Sequence, residues 1–122
     1  MRNRISILSL LVGFVFTPFS AISAEPKVFE SRCVYLAEGL VTIDEPCTIK
    51  ILPPRNWEYI EEWTRGSNRI NVARNDGMLF FGAELAEELE GYELTGIEDS
   101  ICYRVQINRR PRTFCRGPIG SQ

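Results

Sequence analysis

Residues 31–52 fall into three short runs of apolar or alternating positions, and turn-forming residues interrupt them twice. Ser31–Leu36 is rich in β-formers and gives way to Glu38–Gly39. Leu40–Ile43 is a second short apolar run, ended by Asp44–Glu45–Pro46. Cys47–Leu52 alternates threonine and lysine with apolar residues, as a half-buried strand does, and Pro53–Pro54 stops it. This stretch predicts a β-meander.

The segment 57–64 fits two periods. As a strand it puts Trp57, Tyr59, Glu61 and Trp63 on one face. As a short helix it aligns Trp57, Ile60 and Trp63 at spacings of three and pairs Glu61 with Arg65. The aromatic content favours the strand. The clearest hairpin is 69–81, where Ile70, Val72 and Arg74 alternate with Asn71 and Ala73. Asn75–Asp76–Gly77 turns the chain, and Met78–Phe81 returns as an apolar strand. Asp–Gly between two such runs suits a type I′ turn, whose second position requires the positive φ that glycine accepts. Ala83–Glu90 (AELAEELE) is made of strong helix formers and is closed by Gly91, which predicts one or two helical turns.

The last element, 101–115, is read as a hairpin turning at Asn108–Arg109. That register sets Cys102 directly opposite Cys115, where facing Cβ atoms approach to ~4.5–5.5 Å. Small local adjustment then reaches disulfide geometry. The expected bridges are therefore Cys102–Cys115 and, by elimination, Cys33–Cys47. The class predicted is mainly β: a small antiparallel sheet or barrel-like domain of about six to seven strands, with one short helix, stapled by two disulfides.

The N-terminus changes the setting. Arg2 and Arg4 precede an uncharged apolar run from Ile5 to Phe16, Pro18 breaks it, and the small residues Ser20–Ala24 follow. This is the order of a cleavable secretory signal peptide over residues 1–24. The apolar run falls short of the ~20 residues that a spanning helix needs. Residues 25–122 then form a single exported domain, periplasmic or secreted, and the signal style fits a bacterial source. Residues 117–122 offer little to pack and read as a flexible tail. All four cysteines lie in the exported part, and an even number outside the cytoplasm implies disulfides rather than thiolate ligands.

Composition removes several chemistries. The chain has no histidine, so Ser–His and Cys–His nucleophilic sites and His-containing metal sets are unavailable. The wide cysteine spacing fits neither a zinc ribbon nor a thiol-exchange motif, and no Gly-rich phosphate loop occurs. No cofactor or metal is expected. Without Arg2 and Arg4 the exported part carries 12 Lys+Arg against 16 Asp+Glu, which disfavours nucleic acid and anionic membrane as general partners. Paired carboxylates such as Glu61 and Glu98 are the one route left to hydrolase chemistry. A domain this small leaves little room for a deep cleft, so a non-enzyme is expected.

Charge is segregated along the chain. Asp76–Asp99 holds eight acids and no base, whereas Ser100–Gln122 holds five arginines and no acid. Arg109, Arg110 and Arg112 cluster at the expected tip of the last hairpin. A guanidinium pairs bidentately with carboxylates, so this tip is a candidate contact for an acidic partner. The plainer reading is that these arginines face the chain's own acids or only solvate the hairpin. Trp57, Tyr59 and Trp63 are candidate interface anchors if exposed and core residues if not.

Trp63–Thr64–Arg65–Gly66 resembles the W-S/T-K-G stretch of small periplasmic inhibitors of c-type lysozyme, which are eight-stranded β-barrels with a disulfide. The likeness covers four residues, the cysteine layout differs, and no inhibitory residue maps across. It supplies a precedent for small exported β-domains that block an enzyme, not a membership. The functional expectation is a non-catalytic periplasmic or secreted binding protein, of inhibitor or immunity type, with another protein or an envelope component as partner. A structural part of an envelope assembly is the alternative.

Overall fold

A computed structural model describes residues 25–54 and 57–119. The expected signal peptide and residues 120–122 of the expected tail lie outside the described residues. Nine strands form one antiparallel sheet in the order β6-β5-β4-β3-β2-β1-β9-β8-β7. They are β1 (Lys27–Ala37), β2 (Leu40–Leu52), β3 (Tyr59–Arg65), β4 (Asn68–Asn75), β5 (Met78–Phe81), β6 (Glu84–Leu85), β7 (Glu87–Glu90), β8 (Ile101–Ile107) and β9 (Arg110–Arg116). A single helical turn, α1 (Tyr92–Thr95), lies between β7 and β8.

The two outermost strands of the sheet are consecutive in sequence. β6 pairs with β5 and β7 pairs with β8, and only Ala86 separates them. They run in the same direction, so together they act as one bent stave that carries the chain from one edge to the other. The sheet thereby curls into a nearly closed up-and-down barrel, with β1 and β9 joined antiparallel on the far side. Sharing a stave also satisfies parity: a closed meander in which every neighbour is antiparallel needs an even number of staves, and nine strands on eight staves meets that need. Closure leaves few free sheet edges.

The alternation then decides the core. Ile49, Trp63, Val72, Phe81, Tyr103 and Val105 point inward and are buried. Phe81 stacks on Phe114 at 4.4 Å and receives the edge of Trp63 at 5.2 Å. A second cluster lies on the outer face, where Val34, Leu36 and the Cys102–Cys115 bridge are covered by Leu89 and Ile97.

Both expected disulfides form. Cys102 and Cys115 are register partners with Cα atoms 4.0 Å apart. Cys33 and Cys47 are two residues off register across β1 and β2, with Cα atoms 5.7 Å apart. The 69–81 hairpin turns as read, with Asp76 and Gly77 at φ 54° and 75°. Residues 59–65 take the strand form.

Four expectations are corrected. Ala83–Glu90 is not a helix: it is the bent stave, because β5 and β8 each need a hydrogen-bonded neighbour, and that tertiary pairing outweighs a few tenths of a kcal/mol per residue of helix propensity. Gly91 accordingly precedes the helical turn instead of closing a helix. It is glycine because a Cβ there would lie 2.3 Å from Ser100 Oγ. Asp44–Glu45–Pro46 does not end a strand, since β2 runs unbroken from Leu40 to Leu52. Pro46 is tolerated because this half of β2 pairs with β1 alone and needs no second donor. Finally, the expected tail is anchored at its start: Gly117 N–H donates to Arg32 O at 2.8 Å, and Ile119 packs on the core. These additions to the pairing raise the strand count above the six to seven expected.

Candidate functional site

Strand direction sorts the connections between the two barrel ends. One end, the mouth, carries four tight turns: Glu38–Gly39, Gly66–Ser67, Gly82–Ala83 and Asn108–Arg109. Each contains at least one residue with positive φ. The other end carries the β2–β3 connection, Asp76–Gly77, the Gly91–Ser100 segment, and the described residues nearest the two termini.

The charge segregation along the sequence becomes a separation along the barrel axis. Glu25, Glu58, Asp76, Glu90, Glu93, Glu98 and Asp99 stand at the terminal end, with Lys27 and Arg74 beside them. Arg65, Arg69, Arg109, Arg110 and Arg112 stand at the mouth, among the acids Glu38, Asp44, Glu45 and Glu84. Three of these mouth arginines have ion-pair partners, all at long range. Arg65 reaches Glu45 at 3.5 Å, Arg69 reaches Glu62 at 3.7 Å, and Arg110 reaches Glu38 at 3.4 Å. Arg109 and Arg112 have none among the described residues. Such exposed contacts are worth at most about 1 kcal/mol each, so they compete weakly with an incoming anion.

The mouth is stepped. β2 pairs with β3 only over Thr48–Leu52, whereas β9 accompanies β1 up to Ala37. Residues 40–47 of β2 therefore rise past the end of β3, some 20 Å of strand at ~3.3 Å per residue. The β1–β2 and β8–β9 hairpins make a tall wall, and β3, β4 and β5 make a low one. Leu40 and Val41, at the tip of the tall wall, are 72% and 54% exposed. Inside the step lies a cavity of about 210 Å³, lined by Tyr35, Trp63, Arg65, Asn68, Arg69, Ile70, Phe81 and Phe114. The Arg65 guanidinium lies 5.2 Å from the centre of the Tyr35 ring.

The aromatic run is divided by this geometry. Trp63 is 1% exposed and belongs to the core, which removes it as a direct anchor. Trp57 is 37% exposed and packs edge-on against Phe80 on the outer surface, away from the arginines of the mouth. Tyr59 is half-buried beside Glu61. The three do not form one exposed patch. On the last hairpin, Arg109 occupies the turn, while Arg110 and Arg112 share the inward side of β9 with Phe114 and Arg116. Of the other arginines in that stretch, Arg104 pairs with Glu87 at 2.7 Å on the outer wall.

Glu61 is engaged rather than free. Its Oε1 accepts from Trp63 Nε1 and Arg116 Nε, both at 2.8 Å. Its Oε2 accepts from Arg116 Nη2 at 2.8 Å and from Tyr59 Oη at 2.5 Å. Burial works to raise its pKa, but the hydrogen bonds and charge of Arg116, helped by Tyr59 and Trp63, outweigh it and hold the carboxyl below the usual range. Burial likewise opposes the charge on Arg116, and Glu61 more than offsets it, so that pKa is raised. Tyr59 and Tyr103 are both pushed well above the usual phenol range, chiefly by burial and then by the nearby Glu61. A carboxylate with four donors and no proton at neutral pH ties β3 to β9 and has no spare acid for catalysis. Glu98 lines a different hollow, with Glu90, Tyr92 and Asp99, so the two acids do not share a cavity.

Fold and site together define a small, disulfide-stapled antiparallel β-barrel with an arginine-rimmed mouth. No protein-family model, curated protein or solved structure matches the chain. Two disulfides suit an oxidising compartment outside the cytoplasm, and among the described residues no helix is long and apolar enough to cross a membrane.

Sequence reasoning missed Arg65, Arg69 and Tyr35 as mouth residues. Arg65 was legible in part, since it stands two positions beyond Trp63 and shares its face of the strand. Which turns gather at one end depends on the topology.

Proposed function

We propose that this chain is an exported, non-catalytic binding protein, periplasmic or secreted, whose barrel mouth docks an acidic element of another protein. An inhibitor or immunity protein is the type that fits. The observation that carries the reading is the contrast in charge between the two ends: five arginines outnumber the four acids at the mouth, held by weak ion pairs or none, whereas acids dominate the other end, and exposed Leu40 and Val41 rise beside the arginines. An arginine field of this kind steers an acidic surface toward the mouth and turns a negative one away from the other end. The tight turns hold the rim in place before contact, so little ordering is needed on binding. The apolar tip adds buried area to the polar recognition.

The test uses the exported chain with its disulfides intact, immobilised and exposed to soluble extract of the envelope compartment. Wild type is expected to retain a stoichiometric acidic protein at low salt and release it near 1 M salt, where the screening length is ~3 Å. The Arg109→Glu/Arg110→Glu variant is expected to retain none. Retention indifferent to both salt and charge reversal would remove the mouth from the reading. Co-fractionation with a large membrane assembly would instead favour a structural role in the envelope.

A further inference from the structure

The cavity inside the step of the mouth encloses a charged donor that its surroundings leave without an acceptor. Its walls are aromatic, from Tyr35, Trp63, Phe81 and Phe114, yet Arg65 sits among them with its side chain only 18% exposed. A guanidinium drawn this far from water usually has a close carboxylate. Arg116, the buried arginine of β9, has one: two hydrogen bonds of 2.8 Å to Glu61. Arg65 instead has the face of the Tyr35 ring, 5.2 Å from its guanidinium, and one long carboxylate contact, 3.5 Å from Nη1 to the half-exposed Glu45. Its Nε–H is closed off from water and has no acceptor among the described residues. An enclosed donor without an acceptor is costly, and a charged one more so. Asn68, on the inward side of β4 with Ile70, adds a further donor on the same cavity.

We infer that this cavity is a subsite for one carboxylate carried on a small apolar group, with Arg65 as the anion-binding residue. The inference deepens the proposed function by naming the chemistry of the group that the mouth takes in. An entering carboxylate displaces the long Glu45 contact. A turn of the guanidinium about its terminal torsions then offers Nε–H and one Nη together, the two-point pairing that arginine geometry favours. The apolar body of the ligand lies between Tyr35, Trp63 and Phe114. At about 210 Å³ the space suits a single side chain or a one-ring acid, below the ~300 Å³ at which drug-sized pockets begin. The same chemistry is available from a free aromatic acid or from the C-terminal residue of a partner protein.

The experiment follows the Arg65 Nε–Hε resonance and the neighbouring amides by NMR while two probes are added to the intact exported chain. One probe is phenylacetate, with phenylacetamide as its uncharged control. The other is the peptide acetyl-Gly-Gly-Phe with a free C-terminal carboxylate, with its C-terminal amide as control. Saturable shifts at Arg65, Asn68 and Phe114 with phenylacetate support the subsite and identify a free acid as sufficient. Saturable shifts with the peptide acid alone support it and identify a chain terminus as the source. Arg65→Gln is expected to weaken binding about ten-fold or more, the worth of a charged hydrogen bond. Glu45→Gln removes the competing anion and is expected to tighten it about two- to five-fold, the range of one exposed pair. The Glu45 change lies on the exposed half of β2, so it reads the idea even if the Arg65 variant folds poorly. No saturable shift with either acid, or equal shifts with the amides, would overturn the subsite. The proposed function fails by a different result, salt- and charge-indifferent capture, so the two can be refuted separately.

Discussion

Replacing Arg116 by methionine reverses the electrostatics of the barrel interior, and the sign of its pH dependence makes the consequence measurable. Methionine retains much of the apolar stem but leaves Glu61, 0% exposed, with Tyr59 and Trp63 as its only donors among the described residues. Breaking a buried pair by removing one partner costs about 3–5 kcal/mol. A domain near 100 residues is stable by about 5–15 kcal/mol, so at the middle of that range the variant stays folded, with a melting temperature lowered by roughly 12–40 °C. In the wild type the folded pKa of Glu61 is depressed. Its stabilisation is therefore present above the unfolded value near pH ~4.3 and is lost as pH falls through the folded pKa. Without Arg116 the desolvation that opposed ionisation goes unopposed, and the folded pKa moves above ~4.3. The contribution then changes sign: the variant is penalised at neutral pH and recovers stability as pH falls through that raised pKa. Urea unfolding with disulfides intact, followed by tryptophan fluorescence at several values between pH 4 and 7, measures the difference between the two proteins. Taking the difference cancels the other carboxylates. A gap that narrows steadily toward pH 4 is expected. A variant within about 1 kcal/mol of wild type at pH 7, or a gap independent of pH, would refute the account of Glu61 and Arg116.

Three further outcomes follow from the barrel. Tyr59 and Tyr103 are held protonated above the usual phenol range, so Tyr59→Phe and Tyr103→Phe should leave the phenolate absorbance gained up to pH 10.5 unchanged; a loss of that absorbance in either variant would contradict the burial argument. The stability these two tyrosines contribute is complete below ~pH 10 and is lost as pH rises through their raised pKa values. Gly91→Ala places a methyl 2.3 Å from Ser100 Oγ and 2.9 Å from its carbonyl oxygen, and overpacking of that kind costs about 1–3 kcal/mol, readable as a drop of several degrees in calorimetry. The Cys102→Ala/Cys115→Ala pair should lose about 2–4 kcal/mol, and peptide mapping of the unreduced wild type should recover only Cys33–Cys47 and Cys102–Cys115 links.

Much of the architecture was legible because it rests on local signals. Alternation marked β4 and the second half of β2, β-former content marked β1, the apolar run after Asp76–Gly77 marked β5, and the last hairpin supplied β8 and β9. The turn at Asn108–Arg109 fixed a register that places Cys102 against Cys115, and the structure has that register at every position. The misreading of 83–90 has a physical cause. Alanine, leucine and glutamate favour a helix when only neighbours along the chain are considered, but two half-finished sheet edges supply hydrogen-bonding partners that no local window contains. The site was less legible. Arg109, Arg110 and Arg112 were visible as a cluster, whereas Arg65 and Arg69 joined them only because the β3–β4 turn lies at the same barrel end. Trp63 was an ambiguous aromatic until the barrel closed around it.

The sequence by itself determined the β class, the disulfide pairing, the turns and the supply of charge, since each depends on residues close in the chain or on composition. Tertiary structure decided which face of each strand became interior, which acid was paired beyond further use, and which end of the barrel collected the arginines. Those properties belong to contacts between residues as far apart as Glu61 and Arg116. Only closure of the sheet brings such residues together, and it converts a separation of charge along the chain into a separation of charge in space.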